Sequence, residues 1–233
     1  VAGEITRVRQ SYGPGAVFYS RGSHHNWGTI GYFTSAANRF FNCIGATNML
    51  FNPDSWEGFA WGAVHHYGNT VRRGGTEPYS TVEDCMKNAE MIIFWSSDPE
   101  STSGVYGAQE GTIRRDWVKQ LNIPVVHIDP YLNSTASFMG GRWIAPRPGT
   151  GTAMALAIAQ VWLEGGLYDK DYVAKRTQGL EKWAEYIMGE TDGVPKTPEW
   201  QEPITGVEAR VVRALAEQWG KRKTYLACGG LNS

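Results

Sequence analysis

The sequence predicts an α/β fold built on parallel strands, and three observations carry that expectation. Short apolar runs alternate with amphipathic stretches in the order strand, loop, helix. Two of the runs, Met91–Trp95 and Pro124–Ile128, are short and mostly apolar, as strands covered on both faces are. Both lead into polar loops with an Asp-Pro step, at Asp98-Pro99 and Asp129-Pro130. A basic, glycine-rich stretch from Asn69 to Pro78 separates two such sets of elements, so the 233 residues divide into parts of ordinary domain size.

Taken in order, Ile5, Val8 and Tyr12 fit the tail of an amphipathic helix that Gly13-Pro14-Gly15 ends. Ala16 to Ser20 reads as a short strand and Arg21 to Gly28 as a polar loop. Phe33, Ala36, Ala37, Phe40, Phe41 and Ile44 recur at helical spacing, which predicts a buried helix over Ile30 to Cys43 closed by Gly45. Ala46 to Phe51 is a strand, Asn52 to Glu57 a turn, and Glu57 to Tyr67 a helix. Ser80-Thr81-Val82-Glu83 reads as a capping box opening a short helix. The strand Met91–Trp95, a long polar loop, a helix to about Leu121 and the strand ending at Ile128 follow. Arg147 to Thr152 precedes a strong helix, Ala153 to Leu163. Shorter helices are expected around Asp169–Lys175 and Leu180–Gly189, and a loop over 191–204, where Pro195, Pro198 and Pro203 lie. Thr205-Gly206-Val207-Glu208 reads as a second capping box, starting a helix with Val207, Val211, Leu215 and Trp219 on one face. Thr224 to Cys228 is a last strand.

Composition narrows the function. A formal net charge of -1 gives no electrostatic footprint for nucleic acid. No run approaches the ~18 apolar residues of a membrane span. The three cysteines, Cys43, Cys85 and Cys228, are far apart, with neither a CxxC nor a disulfide spacing. A reduced, cytoplasmic setting is expected, and no iron–sulfur or zinc cluster held by this segment. Val1-Ala2-Gly3-Glu4 has neither an initiator Met nor a signal pattern, and Cys228 to Ser233 stops in a strand-to-loop transition. The chain therefore reads as an internal piece of something longer.

Two places carry candidate chemistry. The turn Asn52-Pro53-Asp54-Ser55-Trp56-Glu57 sets a carboxylate beside a hydroxyl at a helix start, a pattern that serves plain capping equally well. The second place is the carboxyl edge of the later strands, where ligands sit in doubly wound sheets. There the loops 96–104, 129–137 and 147–152 converge, the last at a helix N-terminus suited to a phosphate or a polar base edge. No GxGxxG or GxxxxGK[ST] fingerprint is present, so an α/β domain with ordinary polar loops remains the alternative. His65-His66 lack ligand spacing and read as structural, as does His127 inside its strand. Arg72-Arg73 suit either a pyrophosphate or a solvated patch, and Glu57 reads as a helix N-terminal charge partner.

The strings Ile92 to Thr102, Val125 to Pro130, Pro146 to Thr150 with the helix Ala153–Gln160, and Gly166 to Val173 together resemble the dimethyl sulfoxide reductase family of molybdenum enzymes, in the same order and at sensible spacing. The resemblance implies two Rossmann-like three-layer α/β domains. The first, discontinuous, would comprise residues 1–77 and a return at 223–233 and carry the metal side of the site. The second, 78–222, would bind the guanosine end of one pterin dinucleotide. It implies a bis(molybdopterin guanine dinucleotide) molybdenum cofactor. By position Ser97, Asp98 and Pro99 would line the nucleotide, Asp129 would contact ribose or guanine, and Gly149-Thr150 would touch the base. Where the family commonly carries an Asp after Pro-Gly-Thr to read the guanine edge, this sequence has Gly151, which leaves that contact without its usual acceptor.

The family's protein ligand to molybdenum lies on the loop before a helix of the preceding domain, where this chain has Asp54-Ser55. The resemblance thus makes Ser55 the metal ligand, a hard oxygen donor that a high-valent metal favours and keeps deprotonated. The loop Ser23 to Gly28, taken with Asn52 to Gly58, most resembles the branch of the family that transfers hydroxyl groups between polyhydroxylated benzenes, turning pyrogallol into phloroglucinol with a tetrahydroxybenzene as co-substrate. That branch implies Asp54 as acid/base or anchor for phenol hydroxyls and His24 as hydrogen-bond donor to a ring oxygen, with His25 a competitor for the same place. Trp27, Tyr32 and Trp56 would flank the ring. It also implies an iron–sulfur small subunit as partner, the clusters residing there. Two rivals stand beside this reading: an oxygen-atom-transfer reductase or resorcinol-type hydroxylase on the same scaffold, and a non-catalytic nucleotide-binding module.

Overall fold

A computed structural model describes residues 1–19, 36–48, 62, 65–66, 82–101 and 108–228. The chain divides into two compact units, Val1–Asp54 and Ser55–Ser233. The expected boundary at 77/78 falls outside the described residues.

In the first unit, helix α1 (Ala2–Tyr12) ends at Gly13, whose φ of 87° is one a glycine adopts freely. A 3₁₀ turn, Pro14–Ala16, leads into strand β1 (Phe18–Tyr19), which pairs in parallel with β2 (Thr47–Asn48). Between them in sequence lies α2 (Ala36–Cys43). The Tyr19 and Phe41 rings stack 4.0 Å apart, and the Thr47 hydroxyl donates to the Gly15 carbonyl at 2.7 Å. The apolar spacing predicts a buried helix here, but no residue of α2 is buried and Phe40 is 50% exposed. Among the described residues, the stack of Phe41 on Tyr19 covers its apolar face only in part.

The second unit is organised by a four-stranded, all-parallel sheet in the order β5-β4-β3-β6. Its strands are β3 (Met91–Trp95), β4 (Val125–Ile128), β5 (Arg142–Ile144) and β6 (Thr224–Cys228). The helices are α3 (Val82–Asn88), α4 (Ala108–Gln120), α5 (Ser134–Met139), α6 (Gly151–Gly165), α7 (Lys170–Arg176), α8 (Leu180–Ile187), α9 (Pro198–Thr205) and α10 (Ala209–Lys221). The period-2 alternation of β3 splits the core. Met91 and Ile93 join Val126, Ile128 and Ile144 in a cluster closed by Met154, Ala157 and Ile158 of α6 and Val212, Leu215 and Ala216 of α10. Ile92 and Phe94 join Cys85, Val118 and Met139 from α3, α4 and α5 on the opposite face. Helices thus cover both faces of the sheet. Ile93, Ile128 and Met154 are each fully buried at 0% exposure, and each such side chain contributes about 1.5–3 kcal/mol by leaving water.

Strand β6 corrects one expectation. Its register with β3 runs from Met91↔Thr224 to Trp95↔Cys228, so 224–228 complete the second unit's sheet and do not return to the first domain. The Glu90 amide donates to the Lys223 carbonyl at 2.8 Å, and the Lys223 amide to the Glu90 carboxylate at 3.0 Å, which fixes the entry of both strands. Residues 198–205, expected as loop, form α9. Pro198 occupies its first turn, where no donor is needed, and the Thr197 side chain caps it from Trp200 N at 3.1 Å. The expected capping box at 205–208 is also replaced. Thr205 ends α9, its hydroxyl bonded to the Gln201 side chain and to Val207 N, while Ala209 N at the start of α10 is satisfied by the Glu202 carboxylate at 2.9 Å. Of the expected helix Glu57–Tyr67, only Gly62, His65 and His66 are described. They are helical, both histidines are exposed, and the His66 ring bonds the Gly62 carbonyl at 2.8 Å.

Candidate functional site

Because all four strands run in parallel, the loops after β3, β4 and β5 share one edge of the sheet. The chain proceeds outward from β3 to β4 and β5, then crosses back to β6 on the other side of β3, so the strand order reverses beside the end of β3. Crevices form at such reversals.

The loop after β3 starts with strain. Ser96 has a φ of 49°, in the left-handed region, and its amide is held by the Ile128 carbonyl at 2.8 Å. Ser97 follows, 2% exposed, and its hydroxyl has no hydrogen-bond partner among the described residues. Asp98 turns its carboxylate onto α5: Oδ1 accepts from Thr135 N at 2.9 Å and Thr135 Oγ1 at 2.7 Å, and Oδ2 from Ser101 Oγ at 2.6 Å and Ser134 N at 3.4 Å. Burial pushes this carboxyl upward, but the bonds from Ser101, Thr135 and Ser134 together outweigh it and hold it below the usual carboxylate range. Pro99 is buried, and the Glu100 carboxylate is engaged by Thr112 and Arg115 of α4.

The loop after β4 is built differently. Asp129 is 6% exposed; Oδ1 accepts from Tyr131 N at 3.2 Å and Oδ2 from Asn133 Nδ2 at 3.1 Å. Trp143 of β5 donates its indole N–H to the Asp129 carbonyl at 2.8 Å. Asn133 caps α5, its Oδ1 accepting from Ala136 N at 2.8 Å, and its Nδ2 also reaches the Ser97 carbonyl at 3.3 Å. Behind these loops His127 lies stacked on Phe94, with Nε2 bonded to the Gly140 carbonyl at 2.9 Å and Nδ1 buried without a partner among the described residues. Burial lowers its pKa and so favours the neutral ring.

The third loop is anchored by Arg147. Its amide donates to the Thr205 carbonyl, and its guanidinium to those of Pro203 at 2.5 Å and Ile204 at 3.3 Å. Gly149 has a φ of 76°. The Thr150 hydroxyl donates to the Arg147 carbonyl at 2.6 Å, leaving the first turn of the 15-residue α6 without a side-chain cap. Gly151 opens α6 directly over Trp95, and a Cβ there would stand 3.3 Å from the indole Nε1. A larger residue at 151 therefore requires the indole to move.

The edge thus carries Ser97, Asp98, Pro99, Asp129, Gly149 and Thr150, each on a loop of one sheet edge. Asn133 and Thr135, which tie the first two loops together, escaped the sequence reading; the only signal was an Asn-Ser-Thr step able to start a helix. His24, Asp54, Ser55, Trp27, Tyr32 and Trp56 lie outside the described residues. An orphaned buried hydroxyl, a positive-φ glycine and an open helix N-terminus fit a polar, phosphate-bearing ligand. Among the described residues no three His, Cys, Asp or Glu side chains gather to hold a metal.

The model of the molybdopterin oxidoreductase family matches residues 1–210. The chain belongs to that family. Members of the molybdopterin oxidoreductase family hold a molybdenum–molybdopterin cofactor, and the orphaned Ser97 hydroxyl and the open turn of α6 suit its polar end. Among its relatives, the chain is 50% identical over 231 residues to the pyrogallol hydroxytransferase large subunit of Pelobacter acidigallici, covering 99% of this chain and 26% of that protein. It is 32% identical over 237 residues to a dimethyl sulfoxide/trimethylamine N-oxide reductase of Rhodobacter capsulatus, covering 98% of this chain and 28% of that protein. The solved acetylene hydratase from Pelobacter acetylenicus shares the fold, with a TM-score of 0.57 at 18% identity over 99% of this chain and 28% of that one. The chain spans about a quarter of the length of the curated relatives it matches.

Proposed function

We propose that the whole protein is the large subunit of a molybdenum enzyme that transfers hydroxyl groups between polyphenols, converting pyrogallol to phloroglucinol with a tetrahydroxybenzene as co-substrate. The observation that carries this is the 50% identity to a pyrogallol hydroxytransferase large subunit across 99% of the chain, against 32% to the sulfoxide/N-oxide reductase. On this reading the chain holds parts of two Rossmann-like three-layer domains. The first is discontinuous. The cofactor is bis(molybdopterin guanine dinucleotide) molybdenum, the partner an iron–sulfur small subunit, and the location the cytoplasm.

The division of labour is the one that the family resemblance implies. Ser97, Asp129, Gly149 and Thr150 hold the guanosine end of one dinucleotide, while Asp98 and Pro99 shape the loop that presents Ser97. Ser55 offers the metal a hard oxygen. Asp54 takes up the proton of a phenol hydroxyl, and His24 donates a hydrogen bond to a ring oxygen as it gains negative charge. Trp27, Tyr32 and Trp56 flank the aromatic ring. When bound, the cofactor supplies two-electron redox chemistry at the metal.

The test is an anoxic assay of the full-length, molybdenum-loaded complex with pyrogallol and a tetrahydroxybenzene. Phloroglucinol is the expected product, and its absence from a metal-replete preparation overturns the substrate assignment. Absence of both molybdenum and guanine nucleotide from the native protein would favour a non-catalytic nucleotide-binding module.

A further inference from the structure

We infer that Asn133 is the positioning residue that locks the loops after β3 and β4 into the arrangement that grips the nucleotide. The inference rests on the reading that these loops hold a guanine dinucleotide, and it assigns the work of arranging them to a side chain outside the contact set itself.

The side chain is 3% exposed and uses every hydrogen-bonding atom it has. Its oxygen accepts from Ala136 N within α5; its two N–H groups reach the Ser97 carbonyl in one loop and the Asp129 carboxylate in the other. The loop after β3, 36 positions away, thus meets the loop after β4 and the start of α5 at one amide. Capping alone does not call for asparagine here, because Asp98 already accepts from the Ser134 and Thr135 amides of the same helix. What only the amide provides, on so short a stem, is a pair of donors beside the cap acceptor. One donor fixes the peptide of Ser97, and hence where its unpartnered hydroxyl lies. The other holds Asp129 Oδ2 while Tyr131 N holds Oδ1, so the carboxylate plane is set.

The substitution Asn133→Asp keeps the cap oxygen, since Asp and Asn cap helices equally well, and deletes both donors. It also sets a carboxyl against Asp129, which raises its proton affinity. Of the titratable groups of these loops and the strand behind them, Asp98 is held below the usual carboxylate range and His127 is lowered by burial. As pH falls, protonation of the new carboxyl returns a donor to the loop pair. The readout is guanine nucleotide released by acid from the purified holoenzyme complex after gel filtration, per chain. At pH 8 the variant should retain about tenfold less than wild type, the scale of a lost buried hydrogen bond to a charged group. At pH 5.5 it should recover part of that loss, measured against wild type at the same pH. Wild-type retention at pH 8, or an equal loss at both pH values, overturns the inference. Asn133→Ser keeps a cap oxygen without adding charge and covers the case in which the first variant misfolds. It should lose nucleotide at both pH values alike, and wild-type retention in it overturns the inference as well. Ser97→Ala and Asp129→Ala separate the two levels. If both keep wild-type nucleotide, the loops do not hold it and the underlying reading fails; if both lose it while Asn133→Asp does not, only the role of Asn133 fails.

Discussion

Two Asp-Pro steps that look alike in sequence do different work. Asp98, after β3, gives its carboxylate to the start of α5 and to Ser101, and so stitches a loop to a helix. The Asp129 carboxylate, after β4, accepts from Tyr131 N and Asn133 Nδ2 of its own loop, and so stitches a loop to itself. An aspartate past the end of a parallel strand is thus no single signal. Its role is decided by whether an open helix N-terminus lies within reach of the carboxylate, which is a property of the fold.

The difference can be broken by mutation. The largest effect is expected from Asp98→Ala, which removes four charge-assisted acceptor contacts in a partly exposed setting and should cost about 3 kcal/mol in urea unfolding. A loss below that expected for Asp129→Ala would reverse the comparison. Next comes its pH signature. The folded Asp98 carboxyl lies below its ordinary range, so its stabilisation is complete above the unfolded value of ~3.9 and is lost as pH falls through the folded one. Asp98→Asn should flatten that acid limb of the stability curve. His127 acts in a separate window: its folded pKa is lowered, so the unfolded chain binds the extra proton and stability declines as pH falls below ~6.5. His127→Gln should remove that upper slope and leave the lower one. Asp129→Ala should cost less, about 1 kcal/mol, with its main effect on nucleotide content. The smallest shift belongs to Ser97→Ala. Deleting a buried hydroxyl without a partner should leave the cofactor-free full-length chain as stable as before, or up to about 1 kcal/mol more so, while the holoenzyme loses guanine nucleotide.

The central strands were legible because their residues announce burial on both faces: Met91–Trp95 forms a strand over those same residues, and Val125–Ile128 differs only by the proline before it. The edge strand Thr224–Cys228 also forms over the residues expected. Strand β5 was not legible: Arg142 and Trp143 are exposed, and only pairing with β4 makes Arg-Trp-Ile a strand. Helix α9 was hidden by its prolines, and the cap of α10 by its source, Glu202 of the preceding helix. At the site, Ser97 and Asp129 could be singled out by their place after strands. The triangle through Asn133 could not, because it joins residues 36 and 4 positions away, a closeness that only the completed sheet creates.

The pairing of β3 with β6 also bears on how the protein is made. Their entry is fixed by a bond spanning 133 positions, so one edge of β3 stays open on the ribosome until all the intervening helices have emerged. At the ~5–20 residues per second of synthesis, that wait is on the order of ten seconds. During it, the flank of Met91–Trp95 is an apolar template for the wrong strand, and a chaperone that shields it would raise the yield of folded protein.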